Sequence, residues 1–330
     1  MKKNVFALLT LLVAGSLLLA GCPDDDEDDQ DTGMPEDTME MDTSEDTSMD
    51  TMADTEADTE DDVAPDVEEC TLEKPIAVDG SLALHPLSLQ ADMNATLENT
   101  QLSLVSALGV LGGSPIVLPQ GDDCSPAVET FMSMDQMASW SFDAVDVDTV
   151  STGLVATADD AEGSMEDNFV TTATGLAGSE IAGDMPDDVT GSQAFLLSSA
   201  AEQAIAEANG DAAGELISEG FILGMFVDSN GDPVSGIKVG TVESKDGDGN
   251  PTEAAAIDKA IYPNNDLTDV TTGSDGGSTS ELGVFLVPSA TLDDYVGTTG
   301  DMGAIASSSQ QGASAAGVAF VMNLVVTNNN

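Results

Sequence analysis

The chain divides by how its apolar residues are spaced. Behind Lys2 and Lys3, residues 5–19 are almost wholly apolar and end on the small pair Ala20-Gly21, a pattern that reads as a secretory signal over residues 1–21. Residues 23–69 show no apolar period at all. Beyond residue 70 short alternating stretches predict strands: Ser81 to Leu89 around Pro86, Leu102 to Val105, Ile116 to Leu118, Trp140 to Val147 and Gly153 to Thr157. Gly, Asp, Asn and Thr between them supply turns. From Ser192 to Ala208 the spacing changes. Phe195, Leu196, Ala200, Ile205 and Ala208 recur at helical intervals, Ser192 is placed to cap and Asn209-Gly210 to terminate. Ala212 to Ser218 adds a further turn or two. Strands return at Ile222 to Val227, Ile237 to Val242 and Gly317 to Val326, the last with Val318, Phe320, Met322 and Leu324 on one face.

This pattern predicts a mainly β protein, with one or two Ig-like antiparallel β-sandwich domains. The expected divisions are a signal at 1–21, a linker at 22–69, a β-rich domain at 70–180, a helical connector at 181–218 and a second sandwich at 219–328.

Leu19-Ala20-Gly21-Cys22 resembles the lipobox of bacterial lipoproteins. The resemblance implies export, cleavage before Cys22 and acylation of its sulfur and new amine, with the membrane as a partner through that anchor. The expected address is the outer membrane or cell surface. Acyl chains contribute about 0.8 kcal/mol per buried methylene, so several chains make release negligible.

Charge separates the tether from the rest of the chain. The protein carries 62 acidic residues against six basic ones, for a formal charge of -56, and all six basic residues are Lys. Of the acidic residues, 23 fall in residues 23–69, where an Asp-Thr pair recurs from Asp31 to Asp58. Without branched apolar or aromatic residues in any number, that segment cannot offset the entropy of ordering. It is expected to be a disordered spacer with an end-to-end distance on the order of 40 Å and an extended limit of about 160 Å. The remaining 39 acidic residues make the folded part acidic too, which suits salty surroundings and excludes nucleic acid as a partner.

Cys70 and Cys124 are the thiols left after lipidation, and an oxidising compartment favours their pairing. On the chain-entropy estimate, closing that loop stabilises the fold by about 4 kcal/mol.

Residues 221–239 read F-I-L-G-M-F-V-D-S-N-G-D-P-V-S-G-I-K-V, with Gly224, Asp228, Gly231, Pro233, Val234, Gly236 and Val239 at fixed offsets. A second stretch, Thr271-Thr272-Gly273-Ser274-Asp275-Gly276, precedes Gly283-Val284-Phe285. Together these resemble the carboxypeptidase regulatory-like, or transthyretin-like, domain. The spacing departs from that family at Gly277 to Leu282 and in a Gly/Asp/Asn-rich insertion from Lys245 to Asp266. The resemblance implies an Ig-like sandwich of eight or fewer strands and no peptidase activity.

Catalytic chemistry finds few carriers. His85 is the single histidine, no Arg exists, and neither a Gly-x-Ser-x-Gly elbow nor a phosphate loop occurs. No enzyme and no cofactor are therefore expected. Two oxygen-rich clusters are candidate calcium loops: Asp228, Asn230 and Asp232, and Asp246, Asp248 and Asn250. In the second, Pro251 and Ile257 stand where the EF-hand pattern has Gly and Glu, so a plain polar turn is the competing reading. The expected function is a non-enzymatic, lipid-anchored envelope protein displaying β-sandwich modules for adhesion, scaffolding or ligand binding to a protein or glycan. The alternative is a carbohydrate- or calcium-binding surface module, which requires Trp140, Tyr262 and Tyr295 to form an exposed strip.

Overall fold

A computed structural model of the chain describes residues 70–164, 167–300 and 304–327. The signal, Cys22 and the acidic linker lie outside the described residues. In chain order the elements are β1 (Pro75–Leu84), α1 (Pro86–Ala91), β2 (Thr100–Ser106), α2 (Ala107–Leu111), β3 (Pro119–Gln120), β4 (Ser125–Pro126), β5 (Val128–Phe131) and β6 (Met137–Asp146). Next come β7 (Leu154–Asp160), β8 (Phe169–Val170), β9 (Thr172–Ala177), a 3-10 turn at Ser179–Ala182, β10 (Val189–Ser198), α3 (Ser199–Asn209) and α4 (Glu215–Glu219). The last stretch holds β11 (Phe221–Val227), β12 (Lys238–Lys245), β13 (Pro251–Ala256), β14 (Ile261–Pro263), β15 (Val270–Thr272), β16 (Val284–Pro288), β17 (Asp293–Thr299), β18 (Ala304–Gly312) and β19 (Ala319–Val325).

The fold is mainly β, as the spacing predicts, in three sheets. Their orders are β4-β3-β6-β1-β10-β8, β15-β14-β16-β11-β19-β9-β7-β2-β5 and β13-β12-β17-β18. Most pairs are antiparallel, but β1–β10, β11–β19 and β19–β9 run parallel.

Side-chain alternation along the strands shows how the sheets stack. In the nine-stranded sheet Leu102, Leu104, Leu154 and Ala156 point to the same core as Ile76, Trp140 and Leu196 of the six-stranded sheet. On the same face, Phe221, Leu223 and Met225 meet Phe195 of β10 and Ala201 and Ile205 of α3. The opposite face, with Val105, Val155, Ile222, Phe226 and Phe285, packs on Val239, Tyr295 and Ala306 of the four-stranded sheet. The nine-stranded sheet is thus a middle layer covered on both sides. That explains why every residue of β11 is buried, since a strand with no wet face reads as a continuous apolar run.

This layering corrects the expected division into a 70–180 domain and a 219–328 domain. Strand β19 pairs with β9 through Ala319–Thr172, Phe320–Ala173 and Val321–Thr174, so one sheet runs through both stretches. Two of the three core clusters draw residues from both sides of residue 219. The described residues belong to a single compact unit.

The 181–218 segment is not purely a connector. Residues 189–198 form β10, parallel beside β1, with Ala194 to Ser198 buried in succession. The helix starts one turn and a half later than the spacing predicts, with Ser198 rather than Ser192 as its cap, accepting a hydrogen bond from the Ala201 N–H. Its end at Gly210, in the left-handed conformation at φ 86°, is where Asn209-Gly210 predicts it. The strand expected over Ser81 to Leu89 stops at Leu84, and Pro86 opens α1 instead. The stretch Ile116 to Leu118 gives only an isolated bridge from Val117 to Val105. The Lys245–Asp266 insertion folds as β13, which pairs with β12, and β14, which joins β16.

Candidate functional site

The Asp-rich turns stand at strand ends. Strand β11 leaves the middle layer at Val227, and the chain turns through residues 228–232 before Val234 N–H returns a bond to the Phe226 carbonyl. Within the turn, the Asp228 carboxylate accepts from the backbone N–H groups of Asn230 at 2.8 Å and Asp232 at 3.0 Å, and from the Asn230 amide at 3.2 Å. The second turn repeats this device between β12 and β13. Asp246 accepts from the N–H groups of Asp248 and Asn250 at 2.9 and 2.8 Å, and from the Asn250 amide at 3.1 Å. Hydrogen bonds to the charged form favour it, so both groups are held below the usual carboxylate range. The Asn230 N–H contributes most at Asp228, and the Asn250 side chain at Asp246.

The carboxylate that would lead each candidate calcium loop is therefore already engaged by its own turn. The structure brings Asp228, Asn230 and Asp232 together, and likewise Asp246, Asp248 and Asn250, in the form of Asx-type turns. Among the described residues, no three His, Cys, Asp or Glu side chains converge as a metal set.

Cys70 and Cys124 are joined in a disulfide with their Cα atoms 5.7 Å apart across 54 residues. The bridge ties the start of the described chain to the turn after β3, where Cys124 has a positive φ of 50°.

His85 is fully buried and caps α1, its Nδ1 accepting from the Leu87 N–H at 3.2 Å. Its ring meets Phe195 edge-on at 5.7 Å, and its Nε2 has no hydrogen-bond partner. Burial pushes its pKa down to about 3. It is a neutral packing residue at a helix start, between β1 and α1.

Trp140, Tyr262 and Tyr295 are all buried. Tyr262 Oη accepts from the Val239 N–H at 2.9 Å and Tyr295 Oη donates to the Thr291 carbonyl at 2.7 Å, so both phenols serve the fold. The exposed aromatic strip required by the glycan-binding alternative is not formed by these three residues.

Two concave features have no counterpart in the sequence pattern. A cleft of about 520 Å³ is lined by Asp159, Asp160, Asp167, Ser164 and Ile217. Asp160 accepts from the Phe169 N–H, and Asp159 from the Thr171 hydroxyl. Desolvation, reinforced by the Asp159 and Asp167 charges, raises the Asp160 pKa. With three carboxylates in its wall the cleft can attract cations. A groove of about 570 Å³, more apolar, runs between α2, β7, β9 and β18, with Leu108, Leu176, Leu292 and Phe320 among its walls. In both cases the lining residues come from segments far apart in the chain, which no local spacing reveals. Glu202 is a third such case. Placed by its helical position on a polar face, it is buried and accepts from the Gly214 and Ile217 N–H groups at 3.2 Å, fastening α4 to α3.

No family model matches the chain, and no curated protein matches it. Among solved structures, a streptococcal ancillary pilin is similar at 11% identity and a TM-score of 0.21, with 78% of this chain and 64% of the pilin covered. The Bacillus anthracis TIE protein matches at 10% identity and a TM-score of 0.16, over 78% of this chain and 34% of its own. The shaft pilin spaA from Lactobacillus rhamnosus GG matches at 8% identity and a TM-score of 0.18, over 78% of this chain and all of its own. The chain thus spans less than two thirds of the length of the first two. Identities and TM-scores this low fix neither the topology nor the function of this chain.

Proposed function

We propose that this chain is a non-enzymatic, lipid-anchored envelope protein that carries one three-layered β unit away from the membrane on an acidic spacer, at the outer membrane or cell surface. The observation that supports this most is the abrupt change of composition along the chain. A signal ending at Leu19-Ala20-Gly21-Cys22 is followed by 47 residues with 23 carboxylates and no Lys or Arg, and then by the folded unit. Such an order suits a protein whose folded part works at a distance from its anchor. Adhesion or scaffolding fits a unit whose titratable side chains chiefly hold turns and helix ends.

The test uses intact bacteria expressing the full chain with an alkyne fatty acid in the medium. Label is expected on the wild type and lost in Cys22→Ser. The spacer contains no site for trypsin between Lys3 and Lys74 but many Glu, so a Glu-specific protease added to whole cells is expected to release the β unit where trypsin does not. Equal labelling of Cys22→Ser would remove the anchor from this reading, and complete protection from the Glu-specific protease would remove the surface display.

A further inference from the structure

Methionine is placed unusually on this surface. Among the described residues nine large apolar side chains are exposed, and five of them are Met. Three of these five lie within six residues where the chain passes from β5 to β6, and Met93 is tied to that passage through its backbone: Met93 is 80% exposed, Met132 69%, Met134 75% and Met137 59%. Two other Met, Met225 and Met322, are buried as core fillers. The four exposed thioethers contribute little to packing, and several exposed residues of one type on one loop and the segment bonded to it call for an account that scattered single residues do not.

The backbone holds them in a fixed frame. Met132 directly follows β5, Met134 opens the bend after it and Met137 is the first residue of β6, paired with Ala83. Between them the Asp135 carbonyl accepts from the Leu97 N–H at 2.9 Å and the Gln136 carbonyl from the Leu84 N–H at 3.0 Å. The Ser133 hydroxyl donates to Asp135 at 2.6 Å. The Gln136 amide donates to the Met93 carbonyl at 3.0 Å, which brings the fourth residue to the same loop although it lies 43 positions away. Residues two apart in extended chain are separated by about 7 Å, a gap that two flexible Met side chains can close on a shared ion.

A thioether sulfur is a soft, neutral donor that selects Cu(I)-like ions over Ca²⁺ or Mg²⁺, and it carries no proton to compete with the metal. A protein of net charge -56 also draws cations to its surface. We infer that Met132, Met134 and Met137, with Met93 as a fourth donor, form a thioether site for a soft monovalent metal ion of the Cu(I) class. The ion binds in the oxidation state in which it arrives, and no electron moves.

Silver(I), redox-inert and soft, is the probe. The full chain carrying Cys22→Ser, which removes the one cysteine outside the disulfide, is labelled at its methionine methyl groups and titrated with AgNO3 in chloride-free buffer at pH 6. The methyl signals of Met93, Met132, Met134 and Met137 are expected to shift together at one Ag⁺ per chain, while buried Met225 and Met322 stay in place. Changing Met132, Met134 and Met137 together to Leu keeps the apolar surface and removes the sulfur. It is expected to weaken Ag⁺ binding at least tenfold by calorimetry without lowering Tm. Shifts confined to the spacer methionines at 34, 39, 41, 49 and 52, undiminished affinity in the triple variant, or no shift at millimolar Ag⁺ would each overturn the site.

Discussion

His85 shows what one residue can do in this fold. Its imidazole is buried whole, and its Nδ1 already serves the Leu87 N–H. The neutral form is therefore the folded form, with a pKa near 3 against an ordinary 6.5. The unfolded chain takes up a proton below pH 6.5 and the folded chain does not until about pH 3. Across that window the unfolded state binds more protons, so stability is complete above 6.5 and declines as pH falls, by at most about 1.4 kcal/mol per unit. His85→Asn keeps a good helix cap and cannot titrate. In urea melts from pH 7.5 to 4.5, the wild type is expected to lose stability faster than His85→Asn, the difference opening below 6.5; parallel curves would show that His85 is not buried neutral. The place of this residue was half legible. Leu82 and Leu84 keep the strand period, but Leu87 comes three positions after Leu84, and that break together with Pro86 marks a helix start. What the sequence could not contain is burial, because Phe195, the ring against His85, lies 110 positions away.

At the scale of elements, strands were legible where a middle-layer position makes them apolar throughout, as in β11, and poorly so where both periods fit. Ala194 to Ser198 matches a helix in its Phe, Leu and Ala spacing and a strand in its continuous burial. Tertiary placement beside β1 decided it, with α3 beginning only once Ser198 could cap. The two Asp turns were legible because an Asx turn needs only neighbours in sequence, whereas the acidic cleft and the apolar groove needed distant strands to be placed first. Gly220 stands where such placements meet, between α4 and β11, with φ 75° and the Ala315 carbonyl against its Cα. A methyl group there would strike backbone that cannot move without displacing β19. Gly231 has a similar φ of 88° but open space around it. Thermal or urea unfolding is expected to show Gly220→Ala destabilised by about 3 kcal/mol or more and Gly231→Ala by about 1 kcal/mol. Equal losses would mean that φ alone, and not the close approach of residue 315, requires glycine at 220.

For the whole molecule, the same charge that excluded nucleic acid bears on cooperativity. The expectation of two β-sandwich modules rested on length and on a helical break, yet β9 beside β19 makes a single sheet of both halves, and two core clusters straddle the expected boundary. Local periodicity can mark each strand but not a parallel pairing between residues about 150 apart, so the strands were legible and the module count was not. A shared middle layer cannot lose one half while keeping the other, since unpairing β19 from β9 would expose apolar faces on both. The opposing force is electrostatic. Residues 70–330 carry 39 carboxylates and four Lys, and the ion pairs of Lys74 with Asp148 and Lys245 with Asp294 are both partly exposed and worth little each. Net repulsion spread over the surface is screened when the Debye length falls from about 10 Å at 0.1 M to about 3 Å at 1 M salt. Calorimetry is therefore expected to show one unfolding transition whose Tm rises by several degrees from dilute buffer to 1 M NaCl. Two transitions that separate as salt is varied would restore independent modules, and a Tm that stays level or falls would mean that the acidic surface does not oppose folding and owes nothing to a salty environment.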